Sequence, residues 1–124
     1  MLAFFSCASS SGDGKYETLS PSQFKEAIAK SGVLLVDVRT AAEFDEGHLP
    51  NAINVDVKSP SFKDDALKLL SDNEGATIAV YCRSGMRSAK AASLFADMGC
   101  RKIINLDGGI LAWIEAGGAV TTAE

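Results

Sequence analysis

The sequence predicts an α/β domain with a mainly parallel sheet covered by helices on both faces. Three observations predict it. The runs at 33–38, 77–81 and 102–106 are rich in Val, Ile and Leu and lack polar alternation, as strands buried on both faces require. Stretches with helical spacing separate these runs, which implies crossover connections between parallel strands. The chain has 124 residues, enough for one core and too few for a large second module.

The elements follow in order. Residues 1–15 (MLAFFSCASSSGDGK) run from a short apolar patch into Ser and Gly, and read as a flexible leader. The domain is expected over 16–118, with a polar tail at 119–124. Ser20-Pro21-Ser22-Gln23 reads as a helix start: a Ser N-cap, Pro at the first helical position, and Gln completing a capping box. Phe24, Ala27 and Ile28 supply its apolar stripe, and Gly32 a stop. The run Val33 to Val38 is a strand. Thr40-Ala41-Ala42-Glu43 is a second capping box, opening a short helix that Gly47 ends. Ile53 to Val55 is a short strand. Ser59-Pro60 opens a helix with Phe62, Ala66, Leu69 and Leu70 on one side. Thr77 to Tyr81 is a strand, and Ser88 to Met98 a helix with Ala91, Leu94, Phe95 and Met98 at i, i+3, i+4, i+7. Lys102 to Leu106 is the last strand; Ile110, Trp113 and Ile114 mark a final helix.

Composition excludes several functions. Hydrophobic residues make up 47% of the chain, yet no apolar run approaches the ~20 residues of a transmembrane helix. A net charge of −4 without a Lys/Arg cluster argues against nucleic-acid binding. Three scattered cysteines (7, 82, 100) make no disulfide framework and no CxxC pair. A single histidine argues against a zinc site or a Ser–His–Asp triad, leaving a Cys/His dyad open. No metal and no cofactor are expected.

One stretch points to chemistry: Val80-Tyr81-Cys82-Arg83-Ser84-Gly85-Met86-Arg87-Ser88-Ala89. Cys82 follows a buried strand, and a helix begins about six residues later. The loop between them closes on the helix N-terminus, where amide N–H groups and the helix dipole make an anion cradle. Gly85 lets the backbone turn tightly. Arg83 and Arg87 add positive charge. Such neighbours favour a thiolate, an activated nucleophile facing its own anion stabiliser. A lone Cys at a strand end is by default a packing residue; two arginines and a glycine within five residues outweigh that default here.

This loop resembles the active-site loop of the rhodanese (thiosulfate sulfurtransferase) family. Val36-Asp37-Val38-Arg39-Thr40-Ala41-Ala42-Glu43-Phe44-Asp45-Glu46-Gly47-His48-Leu49-Pro50-Asn51-Ala52-Ile53-Asn54 is similar to the family's first signature. Leu106-Asp107-Gly108-Gly109-Ile110-Leu111-Ala112-Trp113 is similar to its last. The three motifs cover roughly 16–117 in the family's order, and the three together are highly specific. The resemblance implies a rhodanese-like fold, a five-stranded, mainly parallel sheet between helices. It implies that Cys82 takes a sulfane sulfur as a persulfide and passes it on. The amides of residues 83–87 (Arg83, Ser84, Gly85, Met86, Arg87) would then surround the sulfur, with Arg83 and Arg87 binding a small anionic donor such as thiosulfate; a persulfide on a small thiol or a partner protein is an equally compatible donor. Ser88 would close the loop as the first helical residue. The implied acceptor is cyanide or a thiol, including a thiol on a partner protein.

Two other readings compete. Cysteine phosphatases and arsenate reductases of related fold place five residues between Cys and Arg; here Arg83, Ser84, Gly85 and Met86 make four, a tighter cradle suited to one sulfur. Non-catalytic binding modules of the family typically lack the cysteine or the loop charge, and both are kept here.

The remaining polar residues have plainer readings. Asp37, with Arg39 beside it, is expected to be a hydrogen-bonded structural acid that anchors a neighbouring loop while supporting the site. His48 is expected to bond the backbone in a turn, Glu43 to serve its capping box, and Asp107 to cap the last helix. Trp113 and Cys100 read as packing. Phe5-Ser6-Cys7 and the Ser-rich stretch after it resemble the end of a bacterial lipoprotein signal. As written it lacks a basic start and enough apolar length, which favours the cytoplasm. An upstream start would instead place the domain in the cell envelope or periplasm, lipid-anchored at Cys7.

Overall fold

The computed structural model describes residues 15–122; residues 1–14 of the expected leader, with Cys7, lie outside the described residues, and Lys15 pairs with Asp97. Ten elements alternate: β1 (Glu17–Leu19), α1 (Pro21–Ile28), β2 (Val33–Asp37), α2 (Ala41–Glu46), β3 (Ile53–Asn54), α3 (Phe62–Asp72), β4 (Thr77–Tyr81), α4 (Met86–Asp97), β5 (Ile103–Leu106) and α5 (Gly109–Glu115). The five strands form one sheet in the order β1-β5-β4-β2-β3, and all its pairings are parallel. This is the expected α/β architecture. β4 is the central strand, and the residue that follows it is Cys82.

Both faces of the sheet are buried, which explains the unbroken apolar runs. One cluster joins Val36, Ile78, Val80 and Cys82 to Phe62 and Ala66 of α3 and Ala91, Ala92 and Phe95 of α4. The other joins Leu35, Ala79, Tyr81, Ile104 and Leu106 to Phe24 of α1 and Ile110 and Trp113 of α5. Alternation along β4 therefore puts Cys82 on the α3/α4 side and Tyr81 on the opposite side. Edge-to-face pairs lock each layer: Phe62 against Phe95 at 5.8 Å and Phe24 against Trp113 at 6.3 Å.

Both capping boxes form as expected, at Ser20/Gln23 and Thr40/Glu43. Three expectations need correction, and one strand has no counterpart among the expected elements. The strand β1 carries no pattern of its own; its three residues are held by β5 at the sheet edge. Helix α3 starts at Phe62, because Ser59 first makes a turn, its carbonyl accepting the Phe62 N–H. Helix α4 starts at Met86, so Ser88 is its third residue. Asp107 does not cap α5; the N-cap is Gly108, in the left-handed region at φ +77°. Residues 119–121, expected within a polar tail, hydrogen-bond to the domain: Trp113 Nε1 donates to the Ala119 carbonyl, and His48 and Thr121 exchange backbone bonds.

A buried polar network ties the ends of β2 and β4 to the 47–49 segment. Asp37 accepts the Arg39 backbone N–H at 2.9 Å, the Arg39 guanidinium at 2.7–3.1 Å and the Tyr81 hydroxyl at 2.6 Å. Arg39 reaches on to the Gly47 carbonyl, and Tyr81 Oη accepts the Leu49 N–H. Asp37 is thus the loop-anchoring acid expected. Burial, then the Asp37 charge, pushes the Tyr81 phenol up, which keeps it a neutral donor. Tyr81→Phe should destabilise the domain by about 1–3 kcal/mol in urea denaturation, because the buried Leu49 N–H loses its acceptor. A loss under about 0.5 kcal/mol would mean that water replaces the hydroxyl.

Candidate active site

Cys82 is buried where β4 runs into α4; its residue exposure is 1%. The Gly85 N–H points back and donates to Cys82 Sγ at 3.0 Å. The Cys82 thiol donates to Ser88 Oγ at 3.4 Å, and Ser88 Oγ–H donates to the Gly85 carbonyl at 3.2 Å. The turn needs glycine: Gly85 has φ +123°, strained for an L side chain. Gly85 is the N-cap of α4, and no side chain caps that helix. The first-turn amides and positive dipole end of α4 are therefore left for an anion beside the sulfur.

The loop backbone is gripped from below by α5. Ile110 N–H donates to the Cys82 carbonyl at 2.9 Å and Leu111 N–H to the Arg83 carbonyl at 3.2 Å. This approach requires Gly109. A Cβ there would lie 2.4 Å from the Arg83 oxygen and 2.6 Å from the Cys82 oxygen, and φ is +63°. The sequence does not announce this role for Gly109, because a contact with a loop 26 residues upstream leaves no local signal.

The two arginines part company. Arg87 is half-buried and makes a bidentate pair with Glu43 at 2.7 and 3.0 Å. Glu43 keeps its capping-box bonds to Thr40 as well. The Arg87 guanidinium, aided by Thr40, lowers the Glu43 carboxyl from its ordinary value to about 2 against the opposing effect of burial. Arg83 is exposed and has no ion pair among the described residues. It lines an open groove of about 230 Å³ with Arg39, Glu43, Glu46, Ile110, Leu111, Ile114 and Val120. Ser84 is exposed, and Met86 is 84% exposed.

The remaining residues fall where their plainer readings put them. Asp37 bonds both Arg39 and the Tyr81 hydroxyl, and neither Asp37 nor Arg39 bonds Cys82 Sγ. His48 Nδ1 bonds the Phe44 carbonyl at 2.9 Å, and its ring stacks on Phe44 at 3.7 Å. Burial pushes the Cys100 thiol up, in keeping with packing. Among the described residues, no helix is long and apolar enough to cross a membrane.

The fold and site define an α/β domain whose central parallel strand delivers a cysteine to the uncapped N-terminus of a helix. The family model for the rhodanese-like domain matches residues 20–116, and the chain belongs to that family. A sulfurtransferase of Allochromatium vinosum is 34% identical over 92 residues, covering 74% of this chain and 81% of that one. A tRNA uridine(34) hydroxylase of Chlamydia abortus is 32% identical over 111 residues, covering 87% of this chain but only 33% of its own length. The crystal structure of a rhodanese-related protein from Thermoplasma volcanium superposes with a TM-score of 0.75 at 29% identity, covering 87% of this chain and all of that one.

Two measurements probe the geometry. Gly109→Ala should cost about 1–3 kcal/mol by overpacking and should change the iodoacetamide reactivity of Cys82, since the clash falls on the loop carbonyls. The Glu43 carboxyl is lowered in the folded state, so its stabilisation is complete above the ordinary value of 4.5 and is lost as pH falls towards about 2. Glu43→Gln should therefore flatten the acid limb of stability between these values in pH-dependent urea titrations.

Proposed function

We propose that this domain is a sulfurtransferase that carries sulfane sulfur on Cys82. The observation that supports it most is the Gly85 N–H donating to the buried Cys82 Sγ at 3.0 Å at the α4 N-terminus. An amide donor at the sulfur favours negative charge there. In the first step the Cys82 thiolate attacks the outer sulfur of thiosulfate. The S–S bond of the donor breaks, sulfite leaves with the electron pair, and Cys82–S–S⁻ remains. In the second, cyanide or a thiolate attacks the outer sulfur, and Cys82 leaves as the thiolate. Neither step transfers a proton once Cys82 is ionised, so a His48 ring that bonds the Phe44 carbonyl is consistent with this route.

In the first step Gly85 N–H and the free amides of Met86, Arg87 and Ser88 stabilise the charge at the sulfur. Arg83, exposed at the rim, attracts the anionic donor. Phosphoester hydrolysis is disfavoured by the same geometry. A tetrahedral dianion needs a free guanidinium, whereas Arg87 is occupied by Glu43.

Intact-mass measurement after incubation with thiosulfate tests the reading. The wild-type protein should gain the mass of one sulfur atom, removable by cyanide as thiocyanate. Cys100→Ser should behave likewise, and Cys82→Ser should gain nothing. Sulfur loading that survives in Cys82→Ser would overturn the assignment.

A further inference from the structure

Arg87 is the second residue of α4 and precedes Ser88, whose Oγ lies 3.4 Å from Cys82 Sγ. Its guanidinium is nevertheless spent elsewhere. Both terminal nitrogens bond the Glu43 carboxylate, and the two hydrogen bonds at Cys82 Sγ are those with Gly85 N–H and Ser88 Oγ. Glu43 is itself fixed from its own helix: its Oε1 accepts the Thr40 N–H at 3.0 Å and the Thr40 hydroxyl at 3.1 Å. The carboxylate is thus pinned to α2, and Arg87 is drawn to it. The charges that face Arg87 come from three elements: Glu43 of α2, Cys82 after β4 and Asp56 after β3. Hydrogen bonding to Glu43 pushes the Arg87 guanidinium up from its ordinary value, and the charges of Glu43, Cys82 and Asp56 add to this against the opposing effect of burial. Around Cys82 itself, α3 and the body of α4 contribute only apolar side chains, among them Phe62, Ala66, Ala91 and Phe95. Arg39 is closed on Asp37, and Arg83 is exposed, where solvent and salt screen it. Arg87 is therefore the cation with leverage on the sulfur, and Glu43 is what offsets it.

We infer that Glu43 is a positioning residue that, by holding and neutralising Arg87, limits how strongly the Cys82 thiolate is stabilised; its meaning for catalysis rests on the proposed sulfur transfer at Cys82. That reaction asks two opposite things of one sulfur. In the first half Cys82 attacks the donor, and in the second it leaves as the thiolate. A more strongly stabilised thiolate leaves faster but attacks more weakly. A free Arg87 beside the sulfur would favour departure at the expense of attack. Glu43 cancels that charge and leaves the stabilisation to the Gly85 amide and the first turn of α4. The alternative is that Glu43 merely holds Arg87 where it serves the sulfur. The two roles predict opposite signs. If Glu43 offsets the cation, its neutralisation acts as added positive charge; if it only props the cation up, its neutralisation acts like loss of Arg87.

The test is the rate of Cys82 alkylation by iodoacetamide against pH, read on the Cys82 peptide by mass spectrometry. The reagent is neutral, so a freed charge neither attracts nor repels it. The Glu43 carboxyl, lowered to about 2, stays ionised across the whole titration from pH 5 upwards. Glu43→Gln keeps the capping box, since Gln serves at that position as well as Glu, but removes the negative charge. Its half-maximal rate should move to lower pH by about 0.5–1 unit, and its limiting rate at high pH should fall, because a less basic thiolate is a weaker nucleophile. Arg87→Gln leaves the Glu43 charge unpaired and should move the midpoint to higher pH. The double variant should return it close to the wild-type position. The sign in Glu43→Gln decides on its own should Arg87→Gln fold poorly. A midpoint that is unchanged or raised in Glu43→Gln, or that moves the same way in both single variants, overturns the inference while leaving sulfur transfer intact. Opposite shifts together with a wild type that takes up no sulfur from thiosulfate overturn the proposed function instead and leave the charge assignment standing.

Discussion

The site depends first on where two carbonyls point. Strand β4 ends at Tyr81, and the next residues must leave the sheet with their polar backbone satisfied. Helix α5 supplies the answer, its Ile110 and Leu111 amides taking the Cys82 and Arg83 carbonyls. With those oxygens held downward against α5, the chain is free to turn the Gly85 N–H back onto the sulfur. The cradle is therefore a consequence of backbone satisfaction on its far side. Gly109 is the point on which this rests, because any side chain there would stand where the loop carbonyls are.

A second layer holds the walls. The Asp37–Arg39–Tyr81 network joins β2, β4 and the 47–49 segment through one buried carboxylate that accepts bonds from three groups. Such a cluster is costly unless fully satisfied, and each of its charges has its partner. The Glu43–Arg87 pair does the same between α2 and α4. One glutamate closes its own helix's capping box and also grips the first turn of the helix that carries the site. The consequence for chemistry is that most of the charge around Cys82 serves to hold structure, and the charge left for an incoming donor is small.

The fold was legible because its signals are local. Apolar runs buried on both faces have no alternation, and Ser20/Gln23 and Thr40/Glu43 announce helices within four residues. Cys82, Gly85 and the helix after them were legible for the same reason. What escaped was non-local. Three residues of β1 have no period and become a strand only by pairing with β5. The Glu43–Arg87 pair spans 44 residues, and Glu43 already had a sufficient local explanation in its capping box. The Gly109 contact and the Leu111–Ile114–Val120 groove exist only once α5 has packed beneath the loop. The start of α4 was misplaced by two residues because a glycine N-cap leaves none of the Ser/Thr/Asp signals that mark a helix start.

That uncapped start is also where structure and chemistry meet. A Ser, Thr or Asp at position 85 would satisfy an amide of α4 with its own side chain and add stability of about 1 kcal/mol. It would also put an oxygen where the anion must sit, and at φ +123° it would strain the turn. Glycine leaves the amides of the first turn without a side-chain partner and lets one of its own face the sulfur. Helices α1 and α2 keep complete capping boxes, whereas α3, α4 and α5 start without a side-chain cap. What sets α4 apart is the Gly85 N–H turned onto Cys82 Sγ, the feature on which the proposed sulfur transfer relies.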